Sequence, residues 1–196
     1  MKQDTKQKII QTGAKIIHRK GYNHTGIQEV LKAAGVPKGS FYFYFNNKED
    51  FGLHVIDFFN NMLFEMVEPV IRNKNISPVR RLENLFDLFI EIFQTLDYTC
   101  GCPIGNLSQE MGDLSPAFSA KLTESVKLMV AMYKGILDEA KDQDLINKHI
   151  DTKETADFIV SSWHGALIRM KIVKGIKPLE LHKRFILNSL QYPAAG

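Results

Sequence analysis

The stretch PKGSFYFYFNNK, residues 37–48, sets two cations, Lys38 and Lys48, on either side of five consecutive aromatic side chains. Ammonium, phenol and ring in that mixture suit a nucleic acid. A lysine reaches a phosphate or guanine O6/N7, a tyrosine hydroxyl donates to a phosphate, and a ring presses on a thymine methyl. The charge pattern agrees. Residues 1–54 hold nine Lys/Arg against four Asp/Glu, whereas residues 55–196 hold sixteen against eighteen, so the first quarter is the part built to meet a polyanion.

The chain's other reactive groups do not converge on a reaction. Cys100 and Cys102 are its only thiols, and His149, His164 or His182 would have to serve as the base of a thiol enzyme. There is no nucleophile elbow, no phosphate-cradling glycine loop and no metal-ligand spacing, so the sequence implies neither an enzyme nor a metal or cofactor. A bridge across the single glycine between the two cysteines would be strained and restrain almost nothing. Free thiols, a start without an apolar signal core, and no apolar run near the ~20 residues that span a bilayer imply a cytoplasmic protein that does not enter a membrane.

The elements that must position these groups read as helices almost throughout. Asp4 and Gln7 have capping-box spacing ahead of Ile9, Ile10, Ile16 and Ile17, and Gly21 ends that helix. Thr25 is expected to cap a second helix through Val30 and Leu31 that stops at Gly35, and Pro37 to open a third. A fourth helix runs from about Asn47 and fades near Pro69, followed by a loop over 72–78. Leu82 to Leu96 is periodic, 98–106 is irregular, Ser115-Pro116 opens a long helix, Asp151-x-x-Glu154 caps another, and Pro178 opens the last. The expectation is an all-α chain of about nine or ten helices: a three-helix helix-turn-helix head, residues 1–47, and a larger helical domain, residues 48–196.

The aromatic run fits this scheme as a short helix. At about 100° per residue, Phe41 and Phe45 share one face with Tyr44 beside them, while Tyr42 and Phe43 point elsewhere with Gly39 between them. The inner pair belongs to the core; the outer pair needs a partner. In a helix-turn-helix the second helix enters the major groove by its N-terminal residues, which here include Lys38.

The segment GYNHTGIQEVLKAAGVPKGSFYFYFNNKEDF resembles the DNA-binding half of the tetracycline-repressor-like (TetR) family of bacterial regulators. Shared are a Gly-aromatic-x-x-Thr turn, a helix ending in Ala-Gly-Val, then Lys-Gly-Ser-x-Tyr-x-x-Phe and a Lys-Glu stretch. The resemblance implies that Thr25, Tyr42, Tyr44 and Lys48 touch phosphates, and that Gln28, Lys38, Gly39, Ser40 and Phe43 face the bases or lie beside them. Gly26 departs from the pattern, standing where a second hydroxyl is usual. Gln28 has two readings, an adenine edge or a capping box with Thr25.

For the larger half the resemblance implies a homodimer through two long helices near 118–140 and 154–174, two operator half-sites, and a small, often apolar effector that releases the DNA. Ser161, Ser162, Gly165 and Ala166 make one turn slim enough for close helix approach. Phe58, Met62, Met66, Phe89, Phe93, Met132, Trp163, His164 and Met170 supply soft and aromatic lining, with Trp163-His164 the favoured pair, although each residue also reads as ordinary core. Cys102 reads either as a sensing thiol or as a small buried residue at a helix junction. The rival to a regulator is a helical module that binds a ligand or electrophile without reading an operator.

Overall fold

The computed structural model describes residues 2–191, and among them every regular element is a helix. The order is α1 (Lys2–Lys20), α2 (Ile27–Ala34), a 3-10 turn (Lys38–Ser40), α3 (Phe41–Tyr44), α4 (Lys48–Ile71), α5 (Pro78–Thr95), α6 (Pro103–Met111), α7 (Pro116–Asp142), α8 (Thr152–Val173) and α9 (Lys177–Ser189). The all-α expectation holds.

Local chemistry accounts for most boundaries. Asn47 Oδ1 accepts the Asp50 N–H at 2.8 Å as α4 begins, and the Asp151 carboxylate accepts the amides of Lys153 and Glu154, both at 2.9 Å, at the start of α8. Ser77 caps α5 with Pro78 in the first turn. Gly35 closes α2 in the left-handed region, φ 63°, where a side chain would be strained.

Three expectations fail locally. Helix α1 begins before Asp4, which lies in its first turn rather than capping it. Gly26, not Thr25, is the N-cap of α2, and no side chain caps it. With Gly26 as the N-cap, Thr25 and Gln28 do not hold capping-box positions, and the Thr25 hydroxyl instead donates back to the Gly21 carbonyl at 2.7 Å. Part of the expected irregular segment is helical, since α6 starts at Pro103 with Cys102 as its cap.

Contacts divide the chain into two compact units, residues 1–64 with 102–125, and residues 65–101 with 126–196. In the first, Ile9 and Ile17 of α1, Val30 and Leu31 of α2, and Phe51 and Val55 of α4 are buried together with Phe41 and Phe45. In the second, Leu82, Leu85 and Phe86 of α5, Tyr133 and Leu137 of α7, Ile159 and Trp163 of α8, and Leu179 and Ile186 of α9 are buried, and the Phe86 ring meets Tyr133 at 6.1 Å and Trp163 at 5.6 Å. Each such side chain removed from water contributes about 1.5–3 kcal/mol before the entropy of ordering is subtracted. Arg81 is buried in this second core; its guanidinium meets Glu139 at 2.5 Å and donates to the Ile71 carbonyl at 2.7 Å.

Candidate nucleic-acid interface

After Gly35 and Pro37 the backbone winds through one 3-10 turn and a single turn of α-helix. Phe41 is 0% exposed and Phe45 2%, whereas Tyr42 is 63% and Phe43 65% exposed. The inner rings are fixed by ring contacts: Phe41 lies 5.7 Å and Phe45 5.2 Å from Phe51, and Phe45 lies 5.5 Å from His54. Phe45 reaches the core differently from the helical expectation. Helix α3 ends at Tyr44, and Phe45 is extended, φ −136° and ψ 133°, so it drops into the core as the chain turns toward α4. Either way, two buried rings pin two exposed ones in place.

Beside the exposed rings lies an open cleft of about 620 Å³ that Gln28, Lys38, Tyr42 and Lys48 line together. Lys48 is oriented from behind: its Nζ sits 4.4 Å from the centre of the Tyr22 ring and donates to the Asn23 carbonyl at 3.4 Å. Partial burial draws its pKa below the usual lysine value, with Glu110 opposing that shift. Gly39 is exposed with open space beside its Cα, Ser40 is half-buried, and Tyr44 stacks edge-on against Phe43 at 5.0 Å. These three and Phe43 stand outside the cleft lining. Thr25 is only 1% exposed and its hydroxyl proton serves Gly21, so it holds the turn together instead of presenting a free donor. Asn23 and His24, absent from the sequence-derived set, also line the cleft. Both are polar residues in the turn immediately before α2, which was the available signal.

The residues expected to line an effector site fall in both units. In the first, Phe58 and Met62 are half-buried, and so is Cys102, whose Sγ accepts the Gly105 N–H at 3.5 Å at the start of α6. In the second, Phe89, Phe93, Trp163 and Met170 are buried, and Met66, Met132 and His164 are half-buried. Phe89 and Trp163 meet at 6.0 Å. The ring set against Trp163 is not His164 but His182 of α9, 5.1 Å away, which also meets Phe86 at 5.4 Å. Consecutive helical residues diverge by about 100°, so Trp163 and His164 leave α8 in different directions. His182 was legible only as a polar residue on the inward face of α9 between Leu179 and Ile186.

Burial pushes the His182 pKa down to about 4, slightly opposed by the Ile159 carbonyl, and burial also lowers that of His164. Helices α8 and α9 also carry exposed apolar side chains. Phe158, Leu181 and Phe185 are exposed around a groove of about 330 Å³ between α8 and α9, and Gly165 and Ser161 are exposed on α8. Of the larger apolar residues of α7, Phe118, Leu122, Met129, Tyr133, Ile136 and Leu137 are buried instead, whereas Leu128 is exposed.

Known proteins carry the same pattern. Residues 9–55 match the family model described as "Bacterial regulatory proteins, tetR family", and residues 78–186 match "Tetracyclin repressor-like, C-terminal domain". The HTH-type transcriptional repressor DhaR of Mycobacterium sp. (strain GP1) is 33% identical over 185 residues, covering 94% of this chain and 91% of that one. The chain belongs to the TetR family.

Solved TetR-family structures agree in three dimensions. A regulatory protein TetR from Rhodobacter sphaeroides superposes with a TM-score of 0.87 at 31% identity, covering 93% of this chain and 97% of its own. The reduced form of Escherichia coli NemR gives a TM-score of 0.84 at 25% identity, over 97% and 100% of the two chains. The protein is thus a ligand-responsive, DNA-binding transcriptional regulator with a helix-turn-helix head, and its relatives are regulators, not enzymes. Among the described residues no helix is long and apolar enough to cross a membrane.

Proposed function

We propose that the protein is a repressor that binds a pseudo-palindromic operator as a homodimer and leaves it when a small apolar or aromatic effector binds. In this reading residues 1–47 read DNA in the cytoplasm, and residues 48–196 sense and dimerise. Lys38 meets base edges with Gln28, Gly39, Ser40 and Phe43 on or beside them; Tyr42, Tyr44 and Lys48 hold phosphates; Thr25 braces the turn. The observation that carries this assignment is the contrast within FYFYF, where Phe41 and Phe45 are buried, Tyr42 and Phe43 are exposed, and Tyr42 shares a cleft with Lys38. An exposed aromatic pair flanked by lysines needs a polyanionic, base-bearing partner.

The dimer face we assign to α8 and α9, not to α7 with α8. Phe158, Leu181 and Phe185 are uncovered there, and the slim turn at Ser161 and Gly165 faces outward, whereas α7 keeps most of its apolar side chains inside. Two such faces give antiparallel helix pairs in a four-helix bundle, and the two-fold axis supplies two heads for two half-sites.

The effector reading rests on the soft, aromatic character of Phe58, Met62, Met66, Phe89, Phe93, Met132, Trp163, His164 and Met170, with His182 now beside Trp163. Cys102 supports a second reading, an electrophile-sensing thiol. Its sulfur accepts a helix N-terminal N–H, a setting that favours negative charge, and the similar NemR structure is described as a reduced form.

The test is selection of duplexes from a random pool at about 0.15 M salt, followed by sequencing. An enriched inverted repeat with half-sites about one helical turn apart is the expected result. Only salt-sensitive background binding from ligand-free protein would refute operator reading. The enriched duplex then screens effectors by release, with a Cys102→Ser protein to separate thiol chemistry from reversible binding.

A further inference from the structure

We propose that Glu110 is a positioning residue for DNA binding, whose carboxylate clamps the turn between α1 and α2 so that Asn23, His24 and Lys48 face the phosphate backbone. The proposal rests on the reading of this face as the DNA contact surface.

The geometry begins at the end of α1. Gly21 adopts φ 88° and donates to the Ile17 carbonyl at 2.8 Å, which completes the helix. The next two amides then have no helical acceptor. Successive N–H groups after a left-handed residue form a concavity that takes an anion. Here the anion comes from α6: the Tyr22 N–H donates to Glu110 Oε2 at 2.8 Å and the Asn23 N–H to Oε1 at 2.7 Å. The side chain arrives from 88 and 87 residues further along, so this is tertiary and not local chemistry. A Cβ on Gly21 would stand 3.0 Å from both carboxylate oxygens. The turn is therefore shaped to admit them.

The other side of the same turn is held by Lys48, which donates to the Asn23 carbonyl at 3.4 Å and lies over the Tyr22 ring. Asn23 is thus gripped at its N–H by Glu110 and at its carbonyl by Lys48. Glu110 also favours the charged form of Lys48. Removing the carboxylate would release two amides and the anion that steadies Lys48, while leaving the ring core of Phe41, Phe45 and Phe51 untouched. Competition is the opposite possibility, with a DNA phosphate taking the same two amides once Glu110 swings away. The sign of one substitution separates the two.

The test compares full-length wild type and Glu110→Gln on the duplex that wild type selects, across a salt series, with amide exchange measured residue by residue. The glutamine keeps shape and helix propensity but offers only one acceptor and brings an N–H₂ against an N–H. We expect exchange at Tyr22 and Asn23 to rise about tenfold or more, affinity to fall about tenfold, and the salt slope to shrink by about one phosphate. The decisive readout is coupling: Lys48→Ala should weaken binding clearly in wild type and much less in the Glu110→Gln background. Unchanged affinity, increased affinity, or an equal Lys48→Ala effect in both backgrounds would overturn the clamp. Loss of amide protection across the whole head would overturn it too, since Glu110 would then be general scaffold. If wild type selects no duplex, the DNA reading falls and this proposal with it, whereas the exchange data still report whether the clamp exists.

Discussion

His182 should make the protein lose stability in mild acid, by an amount that its surroundings set. It is 8% exposed, between Trp163 and Phe86. The Ser162 hydroxyl donates to the Phe158 carbonyl at 2.5 Å, so the 2.9 Å contact from Ser162 Oγ to His182 Nε2 assigns the ring proton to Nε2. Nδ1 is then a bare lone pair, buried with no hydrogen-bond partner among the described residues. Protonating it would place a charge in an apolar core, which is why the pKa falls from 6.5 to about 4.

The consequence follows from linkage. As pH falls below 6.5, the unfolded chain takes up a proton that the folded one refuses, so stability is fully present above 6.5 and lost progressively down to about 4. That gap corresponds to about 3 kcal/mol in all, of which about 2 kcal/mol is gone by pH 5. The assay is urea unfolding of wild type and His182→Phe at pH 7.5 and 5.0, at one protein concentration because dimerisation shifts apparent stability. Phenylalanine keeps the ring contacts, and Ser162 keeps its bond to Phe158. Other groups titrate alike in both proteins, including His164 and the carboxylates, so they cancel. Wild type should lose about 2 kcal/mol more than the variant between the two pH values. Equal losses, within about 0.5 kcal/mol, would refute the buried neutral imidazole.

Three further outcomes are expected. Tyr42→Ala should weaken binding about equally on all duplexes, whereas Lys38→Ala should also blur sequence preference; an equal loss on every sequence for Lys38→Ala, read by repeat selection, counts against base contact. Phe185→Glu should give monomers in sedimentation while helicity is retained, because the side chain is exposed on the α8–α9 face; an unchanged dimer would place the interface elsewhere. Glu139→Gln should destabilise by about 3–5 kcal/mol in urea unfolding, since it leaves the Arg81 guanidinium buried without its counter-ion; a loss below about 1 kcal/mol would mean that Arg81 relaxes toward solvent.

How much was legible beforehand depended on how local each cause is. Caps and breakers act within four residues, so Asp151, Pro116, Pro178 and Gly35 marked their helices correctly. The inside–outside sorting of Phe41, Tyr42 and Phe43 needed only the helical angle. Thr25 misled because its hydroxyl can accept from a helix amide ahead or donate to the Gly21 carbonyl behind, and the fold uses it for the latter. Pro69 marked the end of α4 to within two residues, since a proline there leaves little helix to follow it.

Residues that depend on tertiary partners were the ones missed. His182 looked like one of six scattered histidines, and only the approach of α9 to α8 gives it Trp163 and Ser162 as neighbours. Glu110 carries no local signal, and its role comes only from two amides 87 and 88 residues away that converge on it. The contrast has a functional corollary. The groups proposed to touch DNA come from one contiguous stretch and keep their geometry through local rings and turns, so their identity can be read residue by residue. The groups that orient them, such as Glu110, are supplied from elsewhere in the chain, and are bound to them only through the fold. Substitutions in the first set should change which duplex is bound or how tightly, as Lys38→Ala and Tyr42→Ala test. Substitutions in the second should change how strongly the first set matters, which is why the coupling between Glu110 and Lys48, and not either single loss, is the measurement that separates a reader from the frame that aims it.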